Sequence, residues 1–412
     1  MNRLIKDLLI NQSETAKCLY YKRLLSSSEI SNYTGKSIPY AIKVLNELIA
    51  KGYVQEKGYA TSSGGRKPIN YSINPEIGYL VSVALDQYAL HMVVVDLNNH
   101  FRTPVMRHDI DLHDLEVDEL VAHLRSFINN LDGFKSKIIG IGLTMPGFVD
   151  TVRGINFSFL KIEGDSLANY IQEQLLIPVF LENDSTAIAL SEQKFGVAQH
   201  LKNVMVVNLG WGIGLGMILN GEIFRGNNGL AGEFSHLPLF KNGKLCSCGK
   251  HGCLETEASL IAITAAAKRG IEEGQVTTLV KYDEIDADMI IAEAIKGDVF
   301  SVKLISEAAY HIGEGLAILI HLMNPAAIVL SGKGSVIGKL WMAPIQQAIN
   351  EHCIPMLTGY TEIMISNLTI KAQLIGGAAL VVENFGKNFQ AKLASISTIP
   401  AITDYSLENE EI

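Results

Sequence analysis

The residues most able to do chemistry sit in one stretch, Gly232-Glu233-Phe234-Ser235-His236 followed by Cys246-Ser247-Cys248-Gly249-Lys250-His251-Gly252-Cys253-Leu254-Glu255. His236, Cys246, Cys248 and Cys253 are spaced to close a tetrahedral site: Cys-x-Cys supplies a tight pair, while Cys253 and His236 approach from flanking segments. This spacing predicts a structural zinc. Such a site has no open position, so the metal would pin a loop too polar and Gly-rich to hold itself. The arms of the clip carry Glu233 and Glu255, one on either side of the metal. The plainer alternative is three reduced cysteines in a turn beside an ordinary surface histidine.

A second group lies upstream. Glu182-Asn183-Asp184 follows the apolar run Val179 to Leu181, and Gly210-Trp211-Gly212-Ile213-Gly214 follows Val204 to Leu209. Asn183, Asp184, Glu233, His236 and Glu255 offer carboxylates, an amide and an imidazole, a set suited to the several hydroxyls of a sugar. Asp184 could equally cap the helix that follows it.

These groups need elements to carry them. From Gly78 the pattern has a period of two: Tyr79 to Leu85, His91 to Asp96, a turn at Asn98-Asn99, and a third strand from Phe101. The pattern recurs at Val204 to Leu209, Gly214 to Leu219, a turn at Asn220-Gly221, and Glu222 to Arg225. The echo predicts two similar α/β lobes with a ligand cleft between them, the second beginning near residue 197. Between the meanders we expect a strand over Ile138 to Leu143, a helix near Ser166 to Leu176 and another from Ser185 to Phe195. A buried strand at Ala327 to Leu330 and a closing helix near Ile375 to Asn384 complete the body. The polar residues 386–412 are expected to be a frayed tail.

The first 75 residues differ in kind. Residues 1–80 carry 11 Lys and Arg against 6 Asp and Glu, and the remainder 23 against 37. A basic head on an acidic body suggests that the head alone meets a polyanion. Within it we expect a helix from Met1 to about Asn11, a helix capped by Ser28 and ending at Gly35, and a helix from Ile38 to Lys51 capped by Ser37. In the last, Ile38, Ile42, Leu45, Leu48 and Ile49 should be buried, leaving Ser37, Tyr40, Lys43 and Asn46 free. Strands at Tyr53 to Glu56 and Asn70 to Ile73 then flank Thr61 to Pro68, a candidate wing in which Arg66 and Lys67 suit a phosphate backbone or minor groove. The order is that of a winged helix-turn-helix for double-stranded DNA.

The whole chain has 412 residues, of which 48 % are hydrophobic and 19 % charged, an ordinary globular balance. No leader pattern or long apolar run argues for a membrane, and five cysteines, three of them in the clip, fit a reducing compartment, so the expectation is a cytoplasmic protein.

Taken together, Glu182-Asn183-Asp184, Asn208 to Gly214, Gly232-Glu233 through His236, the cysteine clip ending in Leu254-Glu255, and Gly64-Gly65-Arg66-Lys67-Pro68 resemble the ROK family (repressors, open reading frames and kinases) to about residue 385. The resemblance implies a two-lobed hexokinase/actin-like fold preceded by a winged helix-turn-helix. It implies that Asn183, Asp184, Glu233, His236 and Glu255 bind sugar hydroxyls, and that His236, Cys246, Cys248 and Cys253 hold zinc. His236 would then be shared between metal and sugar. In kinase members the residue matching Asp184 takes the proton of the attacking hydroxyl.

The nucleotide half of the pattern is degenerate. Where such kinases read Asp-x-Gly-Gly-Thr, this chain has Asp86-Gln87-Tyr88-Ala89-Leu90, without the bare backbone that phosphates require. The second loop keeps Gly210, Gly212 and Gly214 but places Trp211 at the usual threonine position, and Ser331-Gly332-Lys333-Gly334 matches the adenosine loop in part. ATP is therefore not expected as a ligand. The main expectation is a sugar-responsive DNA-binding repressor acting as a dimer or tetramer. The rivals are an active kinase for a hexose or N-acetylated amino sugar, with Asp184 as its base, and a metal-dependent scaffold that binds neither DNA nor sugar.

Overall fold

The computed structural model describes residues 7–59 and 67–397. A turn of π-helix at Asp7–Asn11 leads into α1 (Ser13–Lys22), β1 (Leu25–Ser26), α2 (Ser27–Thr34), α3 (Ile38–Ala50), β2 (Val54–Tyr59) and β3 (Ile69–Ile73). The strands form one antiparallel sheet in the order β1-β3-β2. A capping box starts α2, with the Ser26 amide donating to Glu29 Oε2 at 2.8 Å, and Gly35 ends it at φ 65°. Ser37 caps α3 and Pro39 occupies its first turn. The described helices and strands follow the order of the winged helix-turn-helix that the sequence suggests, and residues 60–66, which include most of the candidate wing, lie outside the described residues.

Three details of the head differ from expectation. Of the expected helix to Asn11, Asp7–Asn11 is a helical turn with Leu8 and Leu9 buried and residues 1–6 lie outside the described residues, while a second helix not expected, Ser13–Lys22, follows and buries Thr15, Ala16, Leu19 and Tyr20. The cap of α2 is Ser26, which alone stands three residues before Glu29. The buried stripe of α3 is Ala41, Val44, Leu45 and Leu48, while Ile38 and Ile42 are 46 % and 42 % exposed. A stripe at i, i+3, i+4 and i+7 fits either set, and contact with α2 and the sheet selects the one containing the small Ala41.

The first lobe comprises β4 (Tyr79–Leu85), β5 (Ala89–Asp96), β6 (Met106–Asp109), α4 (Val117–Asn129), β7 (Ile138–Met145), the short hairpin β8 (Val149–Asp150) and β9 (Ile155–Asn156), α5 (Leu167–Leu175) and β10 (Val179–Asn183). Helix α6 (Asp184–Phe195) leads to β11 (Val204–Leu209), β12 (Ile213–Leu219) and β13 (Glu222–Phe224). There follow α7 (Glu255–Ala258), α8 (Leu260–Glu272), α9 (Ala287–Ile295), α10 (Val299–Met323), β14 (Ala327–Ser331), α11 (Met342–His352), α12 (Pro355–Thr358) and β15 (Glu362–Ile365). Helices α13 (Lys371–Glu383) and α14 (Lys387–Ser397) return to the first lobe.

The two large sheets run β10-β7-β4-β5-β6 and β13-β12-β11-β14-β15. In each, an antiparallel meander is extended by two parallel strands in the same order, so the lobes repeat one topology. Each lobe also lends a helix to the other: α6 leaves the first sheet to pack on β12, and α13 leaves the second to pack on β7 and β4. The two helices meet at the centre, where Gly376 lies so close to the Ala187 carbonyl that no Cβ would fit. That contact puts the N-terminus of α6 at the mouth of the cleft.

Two boundaries move. The third strand of the first meander is Met106–Asp109, and Phe101 makes only an isolated bridge to Val95. The expected tail from residue 386 contains α14, whose Phe389 is fully buried and stacks on Phe180 with ring centroids 6.2 Å apart; residues 398–412 lie outside the described residues. Nor is the head a separate core. Leu19, Tyr20 and Ile73 share one hydrophobic cluster with Val93, Val95, Ala378 and Phe389 of the body, so the division near residue 75 is a change of pattern rather than of packing. Among the described residues no helix is long and apolar enough to cross a membrane.

Candidate functional site

The clip is assembled by backbone before any ion is considered. Isolated bridges pair Pro238 with Cys253 and Leu245 with His251, and Gly252, at φ 77°, lies against the Phe240 carbonyl where a side chain could not. The ligand atoms of His236, Cys246, Cys248 and Cys253 then fall within 4.8 Å of one another. Cys246 Sγ is 3.6 Å from His236 Nδ1, and Cys248 Sγ is 3.6 Å from Cys253 Sγ. A tetrahedral zinc, with bonds of about 2.3 Å to sulfur and 2.0 Å to nitrogen, sets its ligands about 3.5–3.8 Å apart, so donor set and spacing both fit. All five cysteines are free thiols. With Nδ1 turned to the thiols, His236 Nε2 looks toward Glu233, 3.8 Å from its Oε2, while Glu255 Oε2 lies 4.0 Å from Nδ1.

Asn183 and Asp184 meet these groups from the other side. Asn183, and not Asp184, caps α6: its Oδ1 accepts from the amides of Ser185 and Thr186 at 2.9 and 3.1 Å. Its Nδ2 donates to the Gly147 carbonyl at 3.1 Å, which fixes the side chain. Asp184 Oδ1 accepts from the Ser185 amide and hydroxyl, and its Oδ2 accepts from Asn208 Nδ2 of the second lobe at 3.2 Å. Burial pushes the Asp184 carboxyl above the usual range, the bonds from Ser185 oppose that, and the nearby charge of Asp86 adds to it. Burial likewise raises Glu233 and Glu255. All five candidate sugar residues line one cavity of about 680 Å³.

The other end of the cavity, where the two degenerate loops lie, carries side chains in place of bare backbone. Asp86 Oδ1 accepts from the amides of Tyr88 and Ala89 at 2.8 and 2.9 Å, which tightens the β4–β5 turn. The Tyr88 ring stands edge-on to Trp211, centroids 4.8 Å apart, so an aromatic contact spans the two lobes. Lys333 Nζ lies 4.4 Å from the Trp211 ring centroid and 2.8 Å from Asp288 Oδ2. Gly210 donates to the Gly212 carbonyl at 3.0 Å, Gly214 packs on Ser185 of α6, and Gly332, at φ 78°, abuts Asn208 of the same sheet, so these glycines serve close packing within the turn and around β11.

In the head, Ser37, Tyr40, Lys43 and Lys67 are exposed, and Arg66 lies outside the described residues. Ile38 and Ile42 join that exposed face of α3, where the sequence pattern had placed them inside.

The sequence reading missed one pair. Arg225, just after β13, sets Nε and Nη2 at 3.1 and 2.8 Å from Oε2 of Glu182, a residue only 2 % exposed beside Asn183. A glutamate in the apolar run before Asn183 was the only available signal, since no spacing rule links it to an arginine in the other lobe.

Comparison with known proteins places the chain in a family. Residues 91–384 match the ROK family. A xylose repressor from Caldicellulosiruptor bescii is 27 % identical over 385 residues, covering 91 % of this chain and 96 % of that protein. A glucokinase from Halalkalibacterium halodurans is 34 % identical over 256 residues but covers only 60 % of this chain and 78 % of its own. The crystal structure of a ROK family transcriptional regulator, a homologue of the E. coli MLC protein, superposes with a TM-score of 0.76 at 27 % identity, over 95 % of this chain and 100 % of that one. The chain belongs to the ROK family, and with regulators of that family it shares its whole architecture, head included.

Proposed function

We propose that this protein is a sugar-responsive DNA-binding transcriptional repressor of carbohydrate-metabolism genes, working as a homo-oligomer on paired half-sites. The observation that carries this reading is a cleft polar and acidic at one end, with Trp211 at the other in edge-on contact with Tyr88, together with an exposed recognition helix. Phosphoryl transfer depends on positioning phosphates and stabilising their charge, and two aromatic rings stand where that cradle would be.

In this reading Asn183, Asp184, Glu233, His236 and Glu255 take the hydroxyls of one sugar. Zinc held by His236, Cys246, Cys248 and Cys253 fixes the tautomer of His236 so that Nε2 faces the ligand. On the DNA side, Tyr40, Lys43 and the exposed Ile38 and Ile42 enter the major groove, the isoleucines against thymine methyls, while Lys67 and Arg66 of the wing meet the backbone. Sugar acts by favouring one lobe arrangement, and so one placement of two heads.

The test is fluorescence polarisation of a duplex from the gene's own upstream region, with and without a panel of pentoses, hexoses and N-acetylated amino sugars. Duplex binding relieved by one sugar supports the proposal; indifference to the duplex at modest salt rejects it. The second reading, a sugar kinase, draws on the retained and elevated Asp184 carboxyl, a plausible base. Sugar-dependent ATP turnover that disappears in Asp184→Asn would establish it.

A further inference from the structure

We propose that Glu182 and Arg225 are positioning residues of the cleft: their ion pair sets the lobe separation at which Asp184 on one side and Glu233 and Glu255 on the other reach the same ligand. The role of that ligand rests on the sugar reading above. Glu182 is buried, and both of its oxygens are occupied. Oε1 accepts from the Asn183 amide at 3.0 Å and Thr151 Oγ1 at 2.9 Å, while Oε2 takes both Arg225 contacts.

Arg225 belongs to the opposite lobe, and its carbonyl accepts from the Ala231 amide at 3.2 Å, closing the loop that runs to Glu233. One carboxylate thus holds the residue beside Asp184 directly, and the root of the Glu233 loop through a guanidinium. The two nitrogens converge on a single oxygen, a geometry that fixes direction as well as distance and that a lysine cannot reproduce.

Arg225 and Thr151 also line a second space of about 1260 Å³ together with Lys194 and Glu383, while Asn183, next to Glu182, lines the cleft of about 680 Å³.

The protein carries its own gauge of this separation. Of its two tryptophans, Trp341 is 1 % exposed with its indole N–H bonded to the Gly334 carbonyl, whereas Trp211 is the one that touches Tyr88 across the lobes. Quenching of tryptophan emission by acrylamide therefore reports Trp211. In full-length protein, Arg225→Lys and Glu182→Gln are each expected to raise the quenching constant by about half or more, and to weaken the best sugar of the panel about tenfold. The double variant Glu182→Gln/Arg225→Gln, which leaves no buried charge, should recover melting temperature without recovering sugar affinity.

Quenching equal to the parent in both single variants overturns the proposal. So does sugar affinity within twofold of the parent, or affinity that returns in step with stability in the double variant. If the parent binds no sugar at all, the functional reading fails, and the quenching measurement still decides whether the pair sets the lobe separation.

Discussion

The head can answer the cleft only through the contacts that join them, and the most specific of these is a three-residue node. Tyr21 of α1 donates its hydroxyl to Glu383 Oε1 of α13 at 2.7 Å, Glu383 pairs with Lys194 of α6 at 3.1 Å, and Lys194 Nζ lies 4.7 Å from the Tyr21 ring centroid. Tyr20 and Tyr21 both pack on Phe195, the last residue of α6. A helix of 12 residues spans about 18 Å, so α6 runs as one rod from Asp184 in the cleft to this node.

Tyr21→Phe removes the hydroxyl and keeps the ring. A hydrogen bond to a charged group is worth about 1.5–3 kcal/mol. The Glu383 side chain is 35 % exposed, so solvent screening reduces the expected loss to about 1–2 kcal/mol, or a fall in melting temperature of about 2–4 °C. The pH dependence has a definite sign. Burial is the largest influence on Glu383 and would raise its carboxyl, but Lys194 and Tyr21 outweigh it and hold the group below its ordinary 4.5. A depressed carboxyl contributes stability above its unfolded value and loses it as pH falls through the folded one, so the difference between parent and variant should shrink below about pH 4.5.

The functional readout is operator binding by fluorescence polarisation, measured with and without sugar. Allosteric couplings are typically about 1–3 kcal/mol, and a node carrying about 1 kcal/mol of that reduces the sugar-induced shift in operator affinity about fivefold. Operator affinity without sugar should stay within about twofold of the parent. A variant that melts lower yet keeps the parent's full sugar response would refute the reasoning, because the signal would then reach the head by another route.

Further outcomes are expected. Asp184→Asn should abolish sugar binding while raising stability at pH 7: an elevated folded carboxyl is a cost once pH exceeds its unfolded value, and calorimetry beside a sugar titration checks both halves. Cys246→Ser, or prolonged chelation, should release one equivalent of metal by mass spectrometry and weaken sugar binding together with local order, since His236 then loses its orientation. Lys43→Ala should weaken operator binding and lower its salt dependence by about one counterion, leaving sugar affinity unchanged in isothermal titration.

How much of this was legible in the sequence follows from the range of each interaction. The clip and the second meander are local: their residues lie within a few positions of one another, or repeat with period two, and each appears where the pattern placed it, whereas the first meander keeps its first two strands and shifts its third from Phe101 to Met106–Asp109. Features set by distant partners do not show. The face that α3 buries depends on what packs against it, and Ile38 and Ile42 stay exposed although their spacing is that of a core stripe. Helix α14 looked like a polar tail because a single aromatic, Phe389, anchors it, in a groove made by residues two hundred positions earlier. The Glu182–Arg225 pair joins two lobes, and no one-dimensional period connects them.

On the proposed repressor reading, a two-lobed cleft works as a switch through its lobe separation. In a two-lobed enzyme both substrates hold the lobes together, and removing the nucleotide leaves one end of the cleft without a bridge. Here the Tyr88–Trp211 contact spans that end, while Asp184–Asn208 and Glu182–Arg225 cross between the lobes closer to the sugar. In the proposed reading a sugar would add bonds to Asp184 on one lobe and to Glu233 and Glu255 on the other, all short at only one separation. Its binding energy would then be unequal between lobe arrangements, which is the sole condition for a ligand to move a population. Helix α6 begins at Asp184 and ends on the tyrosines of the head, so an arrangement selected in the cleft would also be the one presented to DNA.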